Sequence, residues 1–139
     1  MKRILTFVVA ILAISLYSCG KDDKKNETPA NPFAGTWVLE SYTRNDIDKT
    51  TDCVRKERVI FTDNTITIDG YYVKTPDNSC EKDELVELTY TYTNNKISAK
   101  EKKSNEVVDS FMTFALENGF LIITEVDNNV KLVSKYKKQ

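Results

Sequence analysis

The segment Leu85–Tyr92, LVELTYTY, alternates between apolar and polar side chains with a period of two. One set holds the apolar side chains of Val86, Leu88, Tyr90 and Tyr92, and the other holds a glutamate and two threonines. Because successive side chains of a strand point to opposite faces, the pattern predicts a strand with one face in a core and one in water. Strands of this kind are typical of antiparallel sheets.

Similar strand-like segments flank this one on both sides. From Phe33 onward, short runs rich in Val, Ile, Thr, Tyr and Phe are separated by Asn, Asp and Gly, which is the composition of strands and tight turns. We predict eight strands, over residues 36–44, 57–62, 65–73, 84–93, 96–103, 107–116, 120–127 and 130–137. No helical period of useful length occurs among them.

The edges of these strands need protection, and closure into a barrel removes them. We therefore expect an all-β fold, an eight-stranded antiparallel up-and-down barrel. A two-sheet β-sandwich is the alternative architecture. The short consecutive turns favour the barrel, because the crossovers of a sandwich need longer connections.

Two of the predicted strands are apolar on both sides. In 107–116, Phe111 opposes Met112 and Phe114, and in 120–127 the side chains of Phe120 and Ile122 oppose their neighbours Leu121 and Ile123. Four explanations are open: a second layer, a partner surface, a bulge that exchanges the two faces, or simple surface hydrophobes.

The first residues of the chain have the pattern of an export signal. Lys2 and Arg3 precede the apolar run Ile4–Leu16, which is too short for a helix that crosses a bilayer. We predict a signal peptide over residues 1–18. The motif Leu16-Tyr17-Ser18-Cys19 resembles the lipobox of bacterial lipoproteins. The resemblance implies that Cys19 becomes the new N-terminus and is acylated, so that its chains hold the protein to a membrane. An ordinary cleaved signal is the alternative.

The residues after Cys19 bear on the destination of the protein. Gly20 stands where an aspartate would resemble the inner-membrane retention signal, so we expect outer-membrane sorting. Lys21-Asp22-Asp23 is similar to an acidic tag that takes some Gram-negative lipoproteins to the cell surface, and it reads equally as a solvated tether. The periplasmic face and the cell surface both stay open. Residues 19–32 are charged and read as the lipidated Cys and a flexible tether.

Composition limits the remaining function classes. The chain has 139 residues, with 20 Lys and Arg against 21 Asp and Glu. Loss of Lys2 and Arg3 leaves 18 against 21, a net charge of −3, which does not suit nucleic acid. The chain has no His, the usual base of a Ser or Cys nucleophile and a frequent zinc ligand. We expect no catalysis, no cofactor and no metal site.

Two cysteines are left once Cys19 is acylated. Cys53 and Cys80 lie in the two longest connections, 45–56 and 74–83. An even pair in an exported domain predicts a disulfide, which would stabilise the fold by about 3 kcal/mol. Free or metal-binding thiols are the alternative.

The segment 31–37, NPFAGTW, places a Gly-x-Trp at the start of the first strand. It resembles the start of a lipocalin, and residues 33–139 are similar in length and strand count to the lipocalin-like domain lipoproteins of Gram-negative bacteria. The resemblance implies that Trp37 is the structural plug of the closed end, often covered by an Arg of the last strand. No Arg follows Arg58 here, so Lys131 or Lys135 is expected to cover it.

Two functions compete at this point. The first is a non-catalytic outer-membrane lipoprotein whose barrel binds a small hydrophobic or amphipathic ligand. Its predicted ligand-binding residues are the inward rings of Phe61, Tyr90, Tyr92 and Phe111, which would otherwise fill the interior. The second is a lipid-anchored interaction or accessory module of a cell-envelope complex, with a solid barrel core and an envelope protein as partner.

Overall fold

The computed structural model describes residues 31–139. They contain eleven strands and one 3₁₀ helix of a single turn, Val54–Lys56. The strands are β1 (Gly35–Arg44), β2 (Ile47–Asp48), β3 (Arg58–Phe61), β4 (Thr65–Asp69), β5 (Tyr71–Val73), β6 (Cys80–Lys82), β7 (Val86–Thr93), β8 (Lys96–Glu101), β9 (Met112–Glu117), β10 (Phe120–Asp127) and β11 (Val130–Lys138).

Eight of these strands form one antiparallel sheet in the order β8-β7-β4-β3-β1-β11-β10-β9. Barrel strands that follow one another in the sequence pair with each other, except β8 and β9. The first strand, β1, also pairs with the last, β11. The sheet therefore curls into an up-and-down barrel that is closed except between β8 and β9. This confirms the predicted eight-stranded barrel, and the sandwich alternative is wrong.

The opening between β8 and β9 is partly covered by the chain that joins them. A single bridge links Lys100 to Val107, and the Val108 N–H donates to the Ala99 carbonyl at 3.1 Å. The Asp109 carboxylate accepts from the Ala99 N–H at 2.8 Å. The strand predicted over 107–116 is wrong in its first half and begins only at Met112, because residues 106–109 serve to cover the edge of β8.

The hairpin turns match their sequence signals. Asn94-Asn95, Asn118-Gly119 and Asn128-Asn129 have φ values between 46° and 82° at both positions. Turns of this type fit the right-handed twist of paired strands, and Asn and Gly accept the conformation most readily. These three turns lie in the gaps between the predicted strands, at 94–95, 117–119 and 128–129.

The strand predicted over 65–73 divides at Gly70. β4 stays in the barrel, whereas β5 leaves it and pairs with β6 in a separate two-stranded sheet. The Asp83 N–H donates to the Gly70 carbonyl at 2.9 Å, which holds the base of this small sheet. A disulfide joins Cys53, just before the 3₁₀ helix, to Cys80 in β6. The predicted disulfide is confirmed.

The two-sided apolar strands need no bulge. β10 pairs in continuous register with both β9 and β11, and the only register shift along the barrel pairings lies in β1, between Leu39 and Ser41, within residues 31–139. Leu121 and Ile123 are buried inside, and Phe120 and Ile122 are half-buried outside. The bulge explanation is wrong. Part of the outer apolar surface is covered within the chain, because the Lys135 Nζ lies 3.8 Å from the centre of the Phe120 ring.

Trp37 lies at the end of the barrel where the chain enters. Its side chain is 2% exposed, and its indole N–H donates to the Phe33 carbonyl at 2.7 Å. The Nζ of Lys138 lies 5.2 Å from the centre of the Trp37 ring. The expectation that Lys131 or Lys135 covers the ring is wrong, because the register of β1 and β11 pairs Trp37 with Lys138. Over residues 31–139 the structure has no helix that is long and apolar enough to cross a membrane.

Candidate ligand site

The half of the barrel next to Trp37 is solid. Phe61 lies at the centre of a cluster in which neighbouring rings are 5.5 to 6.1 Å apart, and its members are Phe33, Phe61, Tyr90, Tyr92 and Phe114. The Tyr90 hydroxyl donates to the Thr62 carbonyl at 2.6 Å and accepts from the Asn31 side chain. Asn31 is thus bonded to the barrel, although the sequence analysis assigns it to the tether.

Three of the four predicted ligand-binding residues belong to this aromatic cluster. Phe61, Tyr90 and Tyr92 contact other rings at the closed end, and none of them lines the cavity described next. The reason is strand direction. β3 and β7 both run towards the closed end, so residues late in these strands lie next to Phe33 and Gly35 rather than at the mouth.

The opposite half of the barrel is hollow. It contains a cavity of about 380 Å³ that opens at the mouth, below the small sheet of β5 and β6. Its apolar walls come from five strands and the 3₁₀ helix, through Leu39, Val54, Ile68, Val86, Met112 and Leu132. The volume is within the range of small-molecule sites in proteins, roughly 300 to 1,000 Å³.

The polar part of the cavity is acidic and phenolic. It is lined by the four carboxyl groups of Glu57, Asp83, Glu84 and Glu125, by Ser134, and by the four tyrosines Tyr42, Tyr71, Tyr72 and Tyr136. No Lys or Arg is among the described residues that line it. The cavity is thus apolar along its walls and acidic over the rest of its lining.

Among the ionisable groups of this lining, Tyr136 and Glu57 are the most enclosed. The Tyr136 side chain is 2% exposed, and its hydroxyl donates to the Glu57 Oε1. Burial raises the pKa of Glu57, and the carboxylates of Glu125, Asp83 and Asp69 raise it further, while the Tyr136 bond opposes the change. Burial, followed by the charge of Glu57, raises the pKa of Tyr136 well above its ordinary value. The neighbouring charges that shift the pKa of Glu57 are all carboxylates.

Glu125 is a site residue that the sequence analysis missed. It follows Leu121 and Ile123 at the same spacing of two in β10, so strand alternation alone places it inside the barrel. Burial raises the pKa of its carboxyl. The signal was present in the alternation, but a glutamate at the end of an apolar strand is usually assigned to solvent.

Phe111 lies apart from the other three predicted residues. It lines a groove of about 290 Å³ beside the mouth, together with Arg44 and Asp127. This groove shares Tyr42, Glu125 and Leu132 with the main cavity. Phe111 therefore lies at the rim of the mouth, at the end of the barrel opposite the aromatic cluster.

The acidic residues are too dispersed to form a metal site. Nowhere in residues 31–139 do three or more His, Cys, Asp or Glu side chains group so that they could hold a metal ion. Cys19, the predicted lipidation site, lies outside the described residues.

Comparison with known proteins assigns the family. No curated protein matches the chain. A family profile described as Lipocalin-like domain matches residues 33–123, about two thirds of the chain, from just before β1 into β10. The match begins at the segment that leads into Gly35-Thr36-Trp37, and the matched strands build both the aromatic cluster and most of the cavity wall. The chain belongs to the Lipocalin-like domain family.

Proposed function

We propose that this protein is a non-catalytic binding protein that takes up one small amphipathic ligand in the mouth of its barrel. The observation that carries the proposal is the cavity of about 380 Å³, which combines apolar walls with acidic and phenolic groups. A hollow of this size in an eight-stranded barrel is suited to one small ligand.

The two halves of the barrel have different tasks in this proposal. The aromatic cluster and Trp37 fill the closed half and hold the strands in place. The apolar tail of the ligand lies against Leu39, Ile68 and Met112, where each Å² of apolar surface removed from water contributes roughly 25 cal/mol. Its polar end lies near Glu57 and Glu125. Carboxyl groups and phenols without a histidine support binding rather than catalysis.

The test is direct binding to the purified protein. Native mass spectrometry before and after organic extraction should detect one small molecule per chain, and the extracted protein should bind an environment-sensitive apolar dye with one-to-one stoichiometry. Unfolded protein serves as the control for non-specific adsorption. A protein that carries nothing and binds no dye would contradict the proposal.

We also propose that Cys19 is lipid-modified and holds the barrel to the outer membrane, on the periplasmic face or at the cell surface. The motif Leu16-Tyr17-Ser18-Cys19 supports this. Labelled fatty acid should enter the protein, and Cys19→Ser should abolish the label and release the barrel from the membrane fraction. Label that persists in the Cys19→Ser variant would contradict the proposal. Surface proteolysis of intact cells then separates the two faces.

The second candidate function is an accessory module that docks on another envelope protein. It is favoured by the outer face of β10, where Phe120 and Ile122 are half-buried and Val126 is 49% exposed. A photo-reactive residue in place of Val126 should give a cross-linked product of one defined mass in intact cells. The same residue in place of Thr67, on the outer face of β4, is the control. Equal or absent products at the two positions would contradict this candidate.

A further inference from the structure

We infer that the ligand of the barrel mouth is an organic cation, an amphiphile with a protonated amine at one end and an apolar chain or ring at the other. The inference rests on the proposed function and specifies the charge of the ligand that the same cavity takes.

The charge of the lining carries the inference. Four carboxyl groups line the cavity, and none of the described lining residues is basic. Glu84 is exposed and paired with Lys103 at 3.3 Å, so the inference rests on the other three, Glu57, Asp83 and Glu125. Glu57 receives a hydrogen bond from Tyr136, but no cation of residues 31–139 is paired with it. Glu125, half-buried on the inner face of β10, makes no hydrogen bond or ion pair within that range. An ammonium group would supply the missing positive charge and up to three hydrogen bonds.

Other ligand charges fit this lining less well. An anionic head group would add a like charge beside Glu57 and Glu125, in a place where burial already disfavours ionisation of both carboxyl groups. A neutral head group leaves Glu57 and Glu125 without a counter-charge. A bare metal ion needs several oxygen ligands at short range, and the described acidic residues are not grouped in that way.

The tyrosines at the mouth support a cation for a second reason. The faces of aromatic rings attract ammonium groups. Tyr71 already shows this, because the Lys56 Nζ lies 6.0 Å from the centre of its ring, and Tyr42 lines the cavity close to Glu125. The nearest basic side chain in the adjoining groove, Arg44, does not line the main cavity. An ammonium group beside Glu57 and Glu125 therefore has the Tyr42 ring in the same lining, whereas Lys56 already lies over the Tyr71 ring.

The experiment compares three probes that share one tail. Octylammonium, octanol and octanoate are titrated calorimetrically into the purified, extracted protein at neutral pH, below their aggregation limits. We expect octylammonium to bind at least tenfold more tightly than either of the others. Glu125→Gln should weaken octylammonium binding by about tenfold, the size of one charge-assisted hydrogen bond, and should lower the ratio of the octylammonium affinity to the octanol affinity. Glu117→Gln, which removes an exposed carboxyl on the outer side of β9, is the matched control and should change neither.

The outcomes separate this inference from the proposed function. Octanol or octanoate binding as tightly as octylammonium would overturn the charge assignment while the binding function stands. An unchanged octylammonium affinity in Glu125→Gln would also overturn it. Absence of binding by all three probes would overturn both the binding function and the inference.

Discussion

Glu57 is the residue at which burial and charge conflict most directly. Its pKa is raised from the ordinary 4.5 by burial and by neighbouring carboxylates, from Glu125 on β10 and from Asp69 and Asp83 near the base of the small sheet. The folded protein therefore binds a proton at Glu57 more tightly than the unfolded chain does. Its contribution to stability is fully present below pH 4.5 and is lost as the pH rises through the raised value.

Glu57→Gln removes this titration while it keeps an acceptor for the Tyr136 hydroxyl. We expect the variant to be more stable than the parent at neutral pH and to have a flatter pH profile of unfolding free energy above pH 4.5. Urea denaturation over a pH series measures it, with Glu117→Gln as the control for an exposed acid. A neutral-pH stability equal to that of the parent would show that the enclosure of Glu57 has no cost.

Tyr90 tests the assignment of the aromatic residues. Its hydroxyl is bonded to the Thr62 carbonyl and to Asn31, within the solid half of the barrel. Tyr90→Phe should lower the unfolding free energy by about 1 to 2 kcal/mol, because the buried partners lose a hydrogen bond. Ligand affinity should not change. Thermal denaturation measures the unfolding free energy, and dye titration measures the ligand affinity. A weakened affinity at unchanged stability would show that Tyr90 contacts the ligand.

At the scale of elements, the disulfide connects two elements at the mouth of the barrel, the 3₁₀ helix and the small sheet of β5 and β6. Cys53 and Cys80 are separated by 27 residues in sequence, and the bond ties the 3₁₀ helix to β6. The double variant Cys53→Ser, Cys80→Ser should lose about 3 kcal/mol of unfolding free energy, since the unfolded chain regains its loop entropy. Val54 and Tyr72 line the cavity beside this link, since Val54 follows Cys53 and the Tyr72 carbonyl lies 3.2 Å from the Cys53 Sγ. Ligand affinity should therefore fall as well.

The same variant has an internal control. The parent protein in reductant should match the double variant in urea denaturation, because both lack only the covalent link. A double variant as stable as the oxidised parent would show that the small sheet of β5 and β6 is held by its hydrogen bonds alone.

Two strands show where the sequence pattern is enough to predict the bounds of an element and where it is not. β10 was predicted to the residue, because alternation and the turn signals Asn118-Gly119 and Asn128-Asn129 bound it on both sides. The strand over 65–73 carries the same local pattern, yet it divides at Gly70 because Asp83 and the β5–β6 pairing hold the chain elsewhere. Contacts between distant segments decide such breaks, and local propensity does not report them.

At the scale of the whole molecule, the closure of the barrel was predictable and the position of its cavity was not. Tight turns in sequence order imply neighbouring strands, and hence the observed order. Phe61, Tyr90 and Tyr92 were correctly predicted to point inward, but their height along the barrel depends on strand direction. The cavity instead lies where Glu125 of β10 and Ser134 of β11 point into the barrel. A pattern of apolar residues does not identify polar side chains such as these as inward-facing.

A hollow mouth and a solid core predict opposite responses to an added side chain. Leu132 lines both the cavity and the groove beside it, so Leu132→Trp should fill empty space, reduce dye affinity at least tenfold and leave the unfolding free energy within about 1 kcal/mol. In a solid core the same change would be overpacking and would cost about 1 to 3 kcal/mol. Val126→Trp, on the exposed outer side of β10, is the matched control and should affect neither quantity. Intact dye binding in a stable Leu132→Trp variant would place the ligand outside this cavity, because the indole and the ligand cannot share it.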